Sequence, residues 1–334
     1  MTETSQEHTA DCGSYTLGEL IGTGGMGAVY RAVDRSLGRD VAVKLIRDFG
    51  VEAGDGLLTR LQQEARAIAQ LRSPHTVELY AFGSTPDGVL YYATELLEGC
   101  NLQSLVDHFG PVNPRRAVFM LSQACMSLAE AHEVGLVHRD IKLANLFVAR
   151  MGTQVDHLKV LDFGVVKHSS VPTATLTRTG ALIGSPAYIA PETLMEDGAD
   201  ARADIYALGC VAYWLVTGVS AFTRKSVMAT LLAHASEVPT SLADCSPTPV
   251  SAEFSELVAR CMAKEPSDRP HSIAEVAAAL DSVPESNAWS PPNGEGVVGG
   301  APARLVWNAP RRIVAGASAR RWIGTLARRS ERPR

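Results

Sequence analysis

The sequence predicts an α+β fold, with a small β-rich part first and a larger helical part after it. Three observations lead there. Residues 15–46 and 77–96 carry β-branched and aromatic residues in short runs broken by Gly, Pro and Asp, with a single helical stretch between them. Beyond Gly99, apolar residues recur every three or four positions, the spacing of buried helix faces. The chain has 334 residues, 46% of them hydrophobic and 20% charged, enough to enclose a substantial core.

Taken in order, residues 15–21 and 28–33 read as strands flanking a glycine cluster, and 41–46 as a third strand after a turn at Gly38. Leu57, Leu61, Ala65, Ile68 and Leu71 mark one face of a helix over 57–71, with Glu64 one turn from Ile68 on adjoining positions of that stripe. Strands at 77–82 and 89–96 are joined by the turn Pro86-Asp87-Gly88. Ala117, Met120, Leu121, Ala124, Leu128 and Ala131 predict a long amphipathic helix over 115–133. Residues 205–217 are apolar nearly all round and stop at Gly218, as a buried helix would. Ser272 and Glu275 fit a capping box that opens a last helix.

The six cysteines (Cys12, Cys100, Cys125, Cys210, Cys245, Cys261) include no C-x-x-C pair, which argues against a zinc site or a disulfide framework and for a reducing, cytoplasmic setting. Residues 1–13 are polar and acidic, without the apolar stretch of a signal peptide. The longest apolar run, 205–216, is shorter than the roughly 20 residues of a membrane span, so a soluble protein is expected. The net charge of −5 conceals an asymmetry, because residues 304–334 hold nine arginines against Glu331 alone and leave the body strongly acidic. Residues 284–303, rich in Pro, Gly, Ser and Asn, read as a flexible linker, and the folded unit is expected to end near Val283. The Arg-rich tail, 304–334, is expected to be disordered or to form a basic amphipathic segment with Trp307, Ile313, Trp322, Ile323 and Leu326. In the second form it would touch an anionic membrane surface, making the protein peripheral at the inner membrane, or an acidic partner. No module points to nucleic acid, and the sequence leaves dimerisation open.

Gly22-Thr23-Gly24-Gly25-Met26-Gly27 fits G-x-G-x-x-G. A dinucleotide-binding reading would find its acid in Asp48, but there the glycines open a helix, whereas residues 28–33 here are β-type. At a strand-to-strand turn, glycines let backbone amides close over phosphates without a Cβ in the way. Lys44 ends the apolar run Val41-Ala42-Val43; a strand lysine is usually a solvated edge charge, but turned inward it would need a buried partner, for which Glu64 is the candidate. His138-Arg139-Asp140-Ile141-Lys142-Leu143-Ala144-Asn145, followed by Asp162-Phe163-Gly164, supplies a proton acceptor, a cation for a transferring phosphate, and an amide and a carboxylate suited to Mg²⁺. Those are the parts of a phosphoryl-transfer site.

With these motifs in order, the sequence over 15–283 resembles the eukaryotic-like (Hanks-type) serine/threonine protein kinases of bacteria. The resemblance implies the two-lobed protein kinase fold: a leader at 1–14, an N-lobe at 15–98, a C-lobe at 99–283 and the active site between the lobes. It implies transfer of the γ-phosphoryl group of ATP, with Mg²⁺ or Mn²⁺, to Ser/Thr hydroxyls of protein substrates. Around the nucleotide it puts Ile21, Gly22, Gly24, Gly25, Gly27, Val29, Ala42 and Phe147, with Thr94 as gatekeeper and a hinge at Glu95 to Leu97. Lys44, fixed by Glu64, would grip the α- and β-phosphates. Asp140 would orient the acceptor hydroxyl, Lys142 neutralise charge on the γ-phosphate, and Asn145 with Asp162 hold the metal.

The lysine two residues after Asp140 is similar to Ser/Thr rather than tyrosine kinases. Residues 184–192 resemble the peptide-docking segment, with Ser185 where threonine is usual, and Leu143 stands where the family usually has proline. Glu192 and Arg269 look like the family's buried ion pair, Asp204 like the brace of the catalytic loop, and His138, Phe163, Ile68 and Leu79 like packing residues. Thr177 and Thr179 resemble autophosphorylated activating sites, with Arg139 as a phosphate receiver. The rivals are a nucleotide-binding pseudokinase scaffold and a small-molecule kinase.

Overall fold

The computed structural model describes residues 11–24, 27–46, 55–163, 185–194, 200–286, 289, 297–298 and 301–302. They fall into two compact units, one of residues 11–65 and 78–97, the other of residues 66–77 and those from 98 onward.

The first unit is a six-stranded antiparallel sheet. It contains β1 (Asp11–Cys12), β2 (Tyr15–Gly24), β3 (Gly27–Asp34), β4 (Arg39–Ile46), β5 (Leu79–Ser84) and β6 (Leu90–Glu95), in the order β1-β2-β3-β4-β6-β5. Alternation decides its faces. Tyr15, Leu17, Tyr30, Ala32, Val41, Val43, Leu45, Tyr91 and Ala93 point into one apolar cluster. The sheet starts at Asp11, ahead of the expected start at Tyr15, because Cys12 is buried in the same cluster. Helix α1 (Asp55–Ile68) presents Leu61, Ala65 and Ile68 as its buried stripe.

Two boundaries differ from the sequence expectation, each for a hydrogen-bonding reason within the second unit. The helix stops at Ile68 instead of Leu71: the N–H groups of Gln70 and Leu71 bond to the carbonyls of Ala67 and Ile68, three residues back, and those of Arg72 and Ser73 are each taken at 2.7 Å by the Glu130 carboxylate. The strand expected from residue 77 begins at Leu79, because Val77 N–H bonds to the Val160 carbonyl and Val160 N–H to that of His75. Backbone groups already engaged elsewhere are lost to the ladder.

The second unit opens with β7 (Gly99–Asn101), followed by α2 (Leu102–Phe109) and α3 (Pro114–Glu133). The hairpin β8 (Leu146–Met151) and β9 (Gln154–Val160) completes a β7-β8-β9 sheet. Then come α4 (Arg202–Thr217), α5 (Val227–Ser236), α6 (Leu242–Cys245), α7 (Ala252–Cys261) and α8 (Ile273–Ser282). Side chains cap five of these helices, satisfying N–H groups that the helix itself leaves unpaired: Asn101 on α2, Asn113 ahead of Pro114 on α3, Ser226 on α5, Ser251 on α7 and Ser272 on α8. Helix α4 is buried over nearly its whole length and ends at Gly218, whose φ of 79° is the left-handed value that favours glycine. Helix α2 and the β7-β8-β9 sheet were not anticipated from the sequence.

Past α8 the chain continues in contact with the fold. Glu285 is buried and Trp289 lies against Arg116, and β10 (Val297–Val298) pairs with β11 (Ala301–Pro302) inside the stretch read as a linker. Among the described residues no helix is long and apolar enough to cross a membrane. The 304–334 tail lies outside the described residues.

Candidate active site

The loop from α3 to β8 is held from below by one carboxylate. Asp204, in the first turn of α4 and 1% exposed, accepts from His138 N–H at 2.7 Å, Arg139 N–H at 2.8 Å and His132 Nε2 at 2.9 Å. Arg139 has φ 59°, a left-handed value that costs a non-glycine residue energy and persists only where the surroundings enforce it. The Asp204 bond to its N–H is such an enforcement. His138 is fully buried and contributes both ring nitrogens: Nε2 donates to the Leu161 carbonyl at 2.8 Å, and Nδ1 accepts from Asp140 N–H at 3.2 Å. Burial pushes its pKa below the ordinary 6.5, which keeps the neutral form this pattern needs. Its ring packs 4.7 Å from that of Phe163.

Above this base three polar side chains converge. Asp140 Oδ2 accepts from Lys142 Nζ at 2.8 Å and from Asn145 Nδ2 at 3.0 Å, and the same Nδ2 donates to the Asp140 carbonyl at 2.8 Å. Both amide hydrogens of Asn145 thus face Asp140, which makes the oxygen the end it can offer outward. Leu143, at the position noted for its departure from proline, is fully buried and opens the 3₁₀ turn Leu143–Asn145. Strands β8 and β9 return the chain to Asp162, whose φ is 51°, and Leu161 N–H bonds to the Asn145 carbonyl at 2.8 Å. An amide oxygen and a carboxylate are the hard oxygen donors that suit Mg²⁺. Phe147, on β8, pairs with Asn101 and Lys159 and is partly exposed.

Ser185 precedes the 3₁₀ turn Pro186–Tyr188 and accepts Tyr188 N–H on its carbonyl. Glu192 meets Arg269 in a two-pronged pair of 2.6 and 2.7 Å. The remaining Arg269 hydrogens go to the carbonyls of Ala263, Arg202 and Lys264, so all five donors of this 1% exposed guanidinium are used.

In the first unit, β2 and β3 form a hairpin whose register closes Gly22 on Val29, Thr23 on Ala28 and Gly24 on Gly27. The glycines therefore join strand to strand, and the dinucleotide-binding alternative, which needs a helix there, is excluded. A Cβ on Gly27 would lie 2.0 Å from the Leu45 carbonyl oxygen, whereas one on Gly24 would meet nothing within 4 Å. Opposite the apolar cluster, cross-strand register brings Val29 beside Lys44 and Ala42 beside Thr94. Lys44 Nζ stands 5.5 Å over the Tyr92 ring. Ile21 lies on β2, and Glu64 lies on α1 with its Oε2 buried. The ladder ends at Glu95, whose N–H bonds to the Glu78 carbonyl and whose carboxylate accepts Glu78 N–H; Leu97 follows outside the sheet.

Gly25, Thr177 and Thr179 lie outside the described residues. Sequence reasoning missed His132, the third donor to Asp204, although its place beside Leu128 and Ala131 on the buried stripe of α3 was a usable signal. It also missed the buried Arg116–Asp156 pair, at 2.6 Å and 1% exposed on both sides, because the partners stand 40 positions apart.

Comparison with known proteins agrees with this geometry. The model of the protein kinase domain family matches residues 15–280. The chain is 35% identical over 320 residues to serine/threonine-protein kinase PknB of Mycolicibacterium smegmatis, covering 94% of this chain and 49% of that one. It is 35% identical over 272 residues to serine/threonine-protein kinase pkn3 of Myxococcus xanthus, covering 80% and 50%. The chain thus spans about half the length of these curated relatives. The crystal structure of the Mycobacterium tuberculosis PknI kinase domain superposes with a TM-score of 0.62 at 26% identity, covering 82% of this chain and 97% of that one. A strand-to-strand glycine loop and a buried carboxylate bracing His138 to Asn145, together with these matches, place the chain in the protein kinase domain family.

Proposed function

We propose that this chain is an active protein kinase that transfers the γ-phosphoryl group of ATP to Ser or Thr hydroxyls of protein substrates. The observation that carries the reading is the convergence of Lys142 and Asn145 on Asp140 Oδ2 at 2.8 and 3.0 Å. Asp140 would orient an acceptor hydroxyl and accept its proton. Lys142, held against it, offsets the negative charge that shifts between phosphate oxygens during transfer. Asn145 and Asp162 are the residues that would hold Mg²⁺, or Mn²⁺ in its place, and the metal when bound neutralises phosphate charge. Lys44, positioned by Glu64, would grip the phosphates under the turn that holds Gly22, Gly24, Gly25 and Gly27, with Ile21 beside the nucleotide, Val29, Ala42 and Phe147 around the base and Glu95 and Leu97 supplying its backbone bonds.

Ser185 would face the acceptor peptide, and autophosphorylation of Thr177 and Thr179 would order the segment before it through Arg139. The kinase domain would occupy 15–283, working in the cytoplasm, with the basic tail touching an anionic inner-membrane surface or an acidic partner. The buried Glu192–Arg269 pair would be structural. The intact Asp140, Lys142, Asn145 and Asp162 set disfavours the pseudokinase alternative.

The test is incubation of purified protein with γ-labelled ATP, Mg²⁺ and a generic basic acceptor protein, followed by phosphosite mapping. Label on Ser and Thr of the acceptor and on Thr177 or Thr179 is expected. Tight nucleotide binding with no label anywhere would favour the scaffold, and unmodified Thr177 and Thr179 in active enzyme would remove them from the account.

A further inference from the structure

A second buried network lies away from the catalytic loop. After α8 the chain turns, with Ser286 N–H on the Val283 carbonyl, and sends Glu285 back to the start of α7. There the carboxylate accepts Ser251 N–H at 2.8 Å and the Ser251 hydroxyl at 2.7 Å, while that hydroxyl still caps α7 by accepting Phe254 N–H. Glu285 is 6% exposed, so a charge has been taken from water and needs these bonds. Four residues on, the Trp289 ring lies 5.8 Å from the Arg116 guanidinium, a cation–π distance.

Arg116 grips Asp156 with Nε at 3.0 Å and Nη2 at 2.6 Å, both partners 1% exposed. Asp156 sits on β9 where the β8–β9 register shifts, with a left-handed φ of 59°. Gln123 of α3 fixes the same point, donating to the Asp156 carbonyl and accepting Leu158 N–H, each at 3.0 Å. Strand β8 starts one residue after Asn145, and β9 ends two residues before Asp162.

We infer that Glu285 and Trp289 act as a strap past α8, and that Trp289, acting through Arg116 and Asp156, is a positioning residue for the hairpin that sets Asn145 against Asp162. The folded unit then extends beyond Val283. The inference rests on the reading of Asn145 and Asp162 as the metal-holding pair. Its physical content is that the ring seals the guanidinium from water. An unsealed ion pair exchanges part of its attraction for hydration, and the strained turn at Asp156 loses its clamp. The Trp289 Nε1 hydrogen bonds to none of the described residues, so the aromatic face is the operative part.

The experiment compares the full chain with its Trp289→Ala and Trp289→Phe forms. It measures phosphoryl transfer against Mg²⁺ concentration, and amide exchange over 154–160. For Trp289→Ala, half-saturating Mg²⁺ should rise about two- to tenfold with kcat at saturating Mg²⁺ changed less than about twofold, and exchange at the Leu158 amide should quicken. Trp289→Phe should restore both. Superimposable Mg²⁺ curves, a fall in kcat without a Mg²⁺ shift, or no rescue by Phe would each overturn the positioning role. A wild-type chain without transfer would refute the kinase reading instead, and the exchange measurement alone would then decide the strap.

Discussion

Replacing Asp204 by Asn keeps the size and shape of the brace and removes its charge. Of the three donors that Asp204 satisfies, the His138 amide and His132 converge on Oδ2 and the Arg139 amide lies on Oδ1. An asparagine that sets its oxygen at the first position turns an NH₂ group toward the Arg139 N–H, donor against donor. The lost charge-assisted bond is worth about 1.5–3 kcal/mol, and leaving the buried donor unsatisfied adds about 1–3 kcal/mol. That bond helps to enforce the left-handed Arg139 backbone, itself a strain of about 1–3 kcal/mol, so the loop relaxes and carries Asp140 with it. Unfolding should fall by about 3–5 kcal/mol, or roughly 10 °C in Tm for a unit of this size. A displacement near 1 Å at Asp140 should lower kcat about 10²-fold. Urea titration and steady-state transfer at a temperature where both proteins are folded measure the two effects separately. A variant that keeps kcat within about twofold while losing stability would refute the claim that Asp204 positions the catalytic loop.

Glu192→Ala strands a guanidinium that is 1% exposed with two unsatisfied hydrogens, and chemical denaturation should show a loss of about 3–5 kcal/mol. Burial lowers the His234 pKa from 6.5 to about 4, and His138 is lowered in the same direction. Above pH 6.5 both folded and unfolded chains hold these rings neutral. Below it the unfolded chain takes up protons that the fold resists, so stability should fall from pH 6.5 toward pH 4, by on the order of 3 kcal/mol for His234 alone. A urea midpoint that is flat over that range would contradict this. Gly27→Ala drives a Cβ to 2.0 Å from the Leu45 oxygen, whereas Gly24→Ala enters open space; the first should raise KM for ATP at least tenfold more than the second, read from initial rates.

What the sequence made legible follows from how far apart the partners lie. Asp140, Lys142 and Asn145 sit within six positions, so one loop assembles them and the motif could be read directly. The Ala117-to-Ala131 stripe and the Gly218 stop are local patterns, and α3 and α4 follow them to within a few residues. Glu130 ending α1, Val160 capturing Val77 N–H, and His132 reaching Asp204 are bonds between distant segments, invisible to periodicity. Helix α2 escaped notice because its eight residues are too short for an apolar period to show, and its start depends on the Asn101 side chain bonding to Ser104 N–H. Glu285 and Trp289 sit in a stretch whose composition reads as a linker, and only their contacts reveal otherwise.

The most direct test of the central claim is an Asp140→Asn comparison that reads phosphoryl transfer to a protein acceptor and ATP binding on the same preparations. Transfer should fall by about 10³-fold or more, because the group proposed to receive the hydroxyl proton is gone, while the dissociation constant for ATP stays within about twofold. Undiminished transfer by the variant would show that Asp140 is not the catalytic group and that the site has been misread.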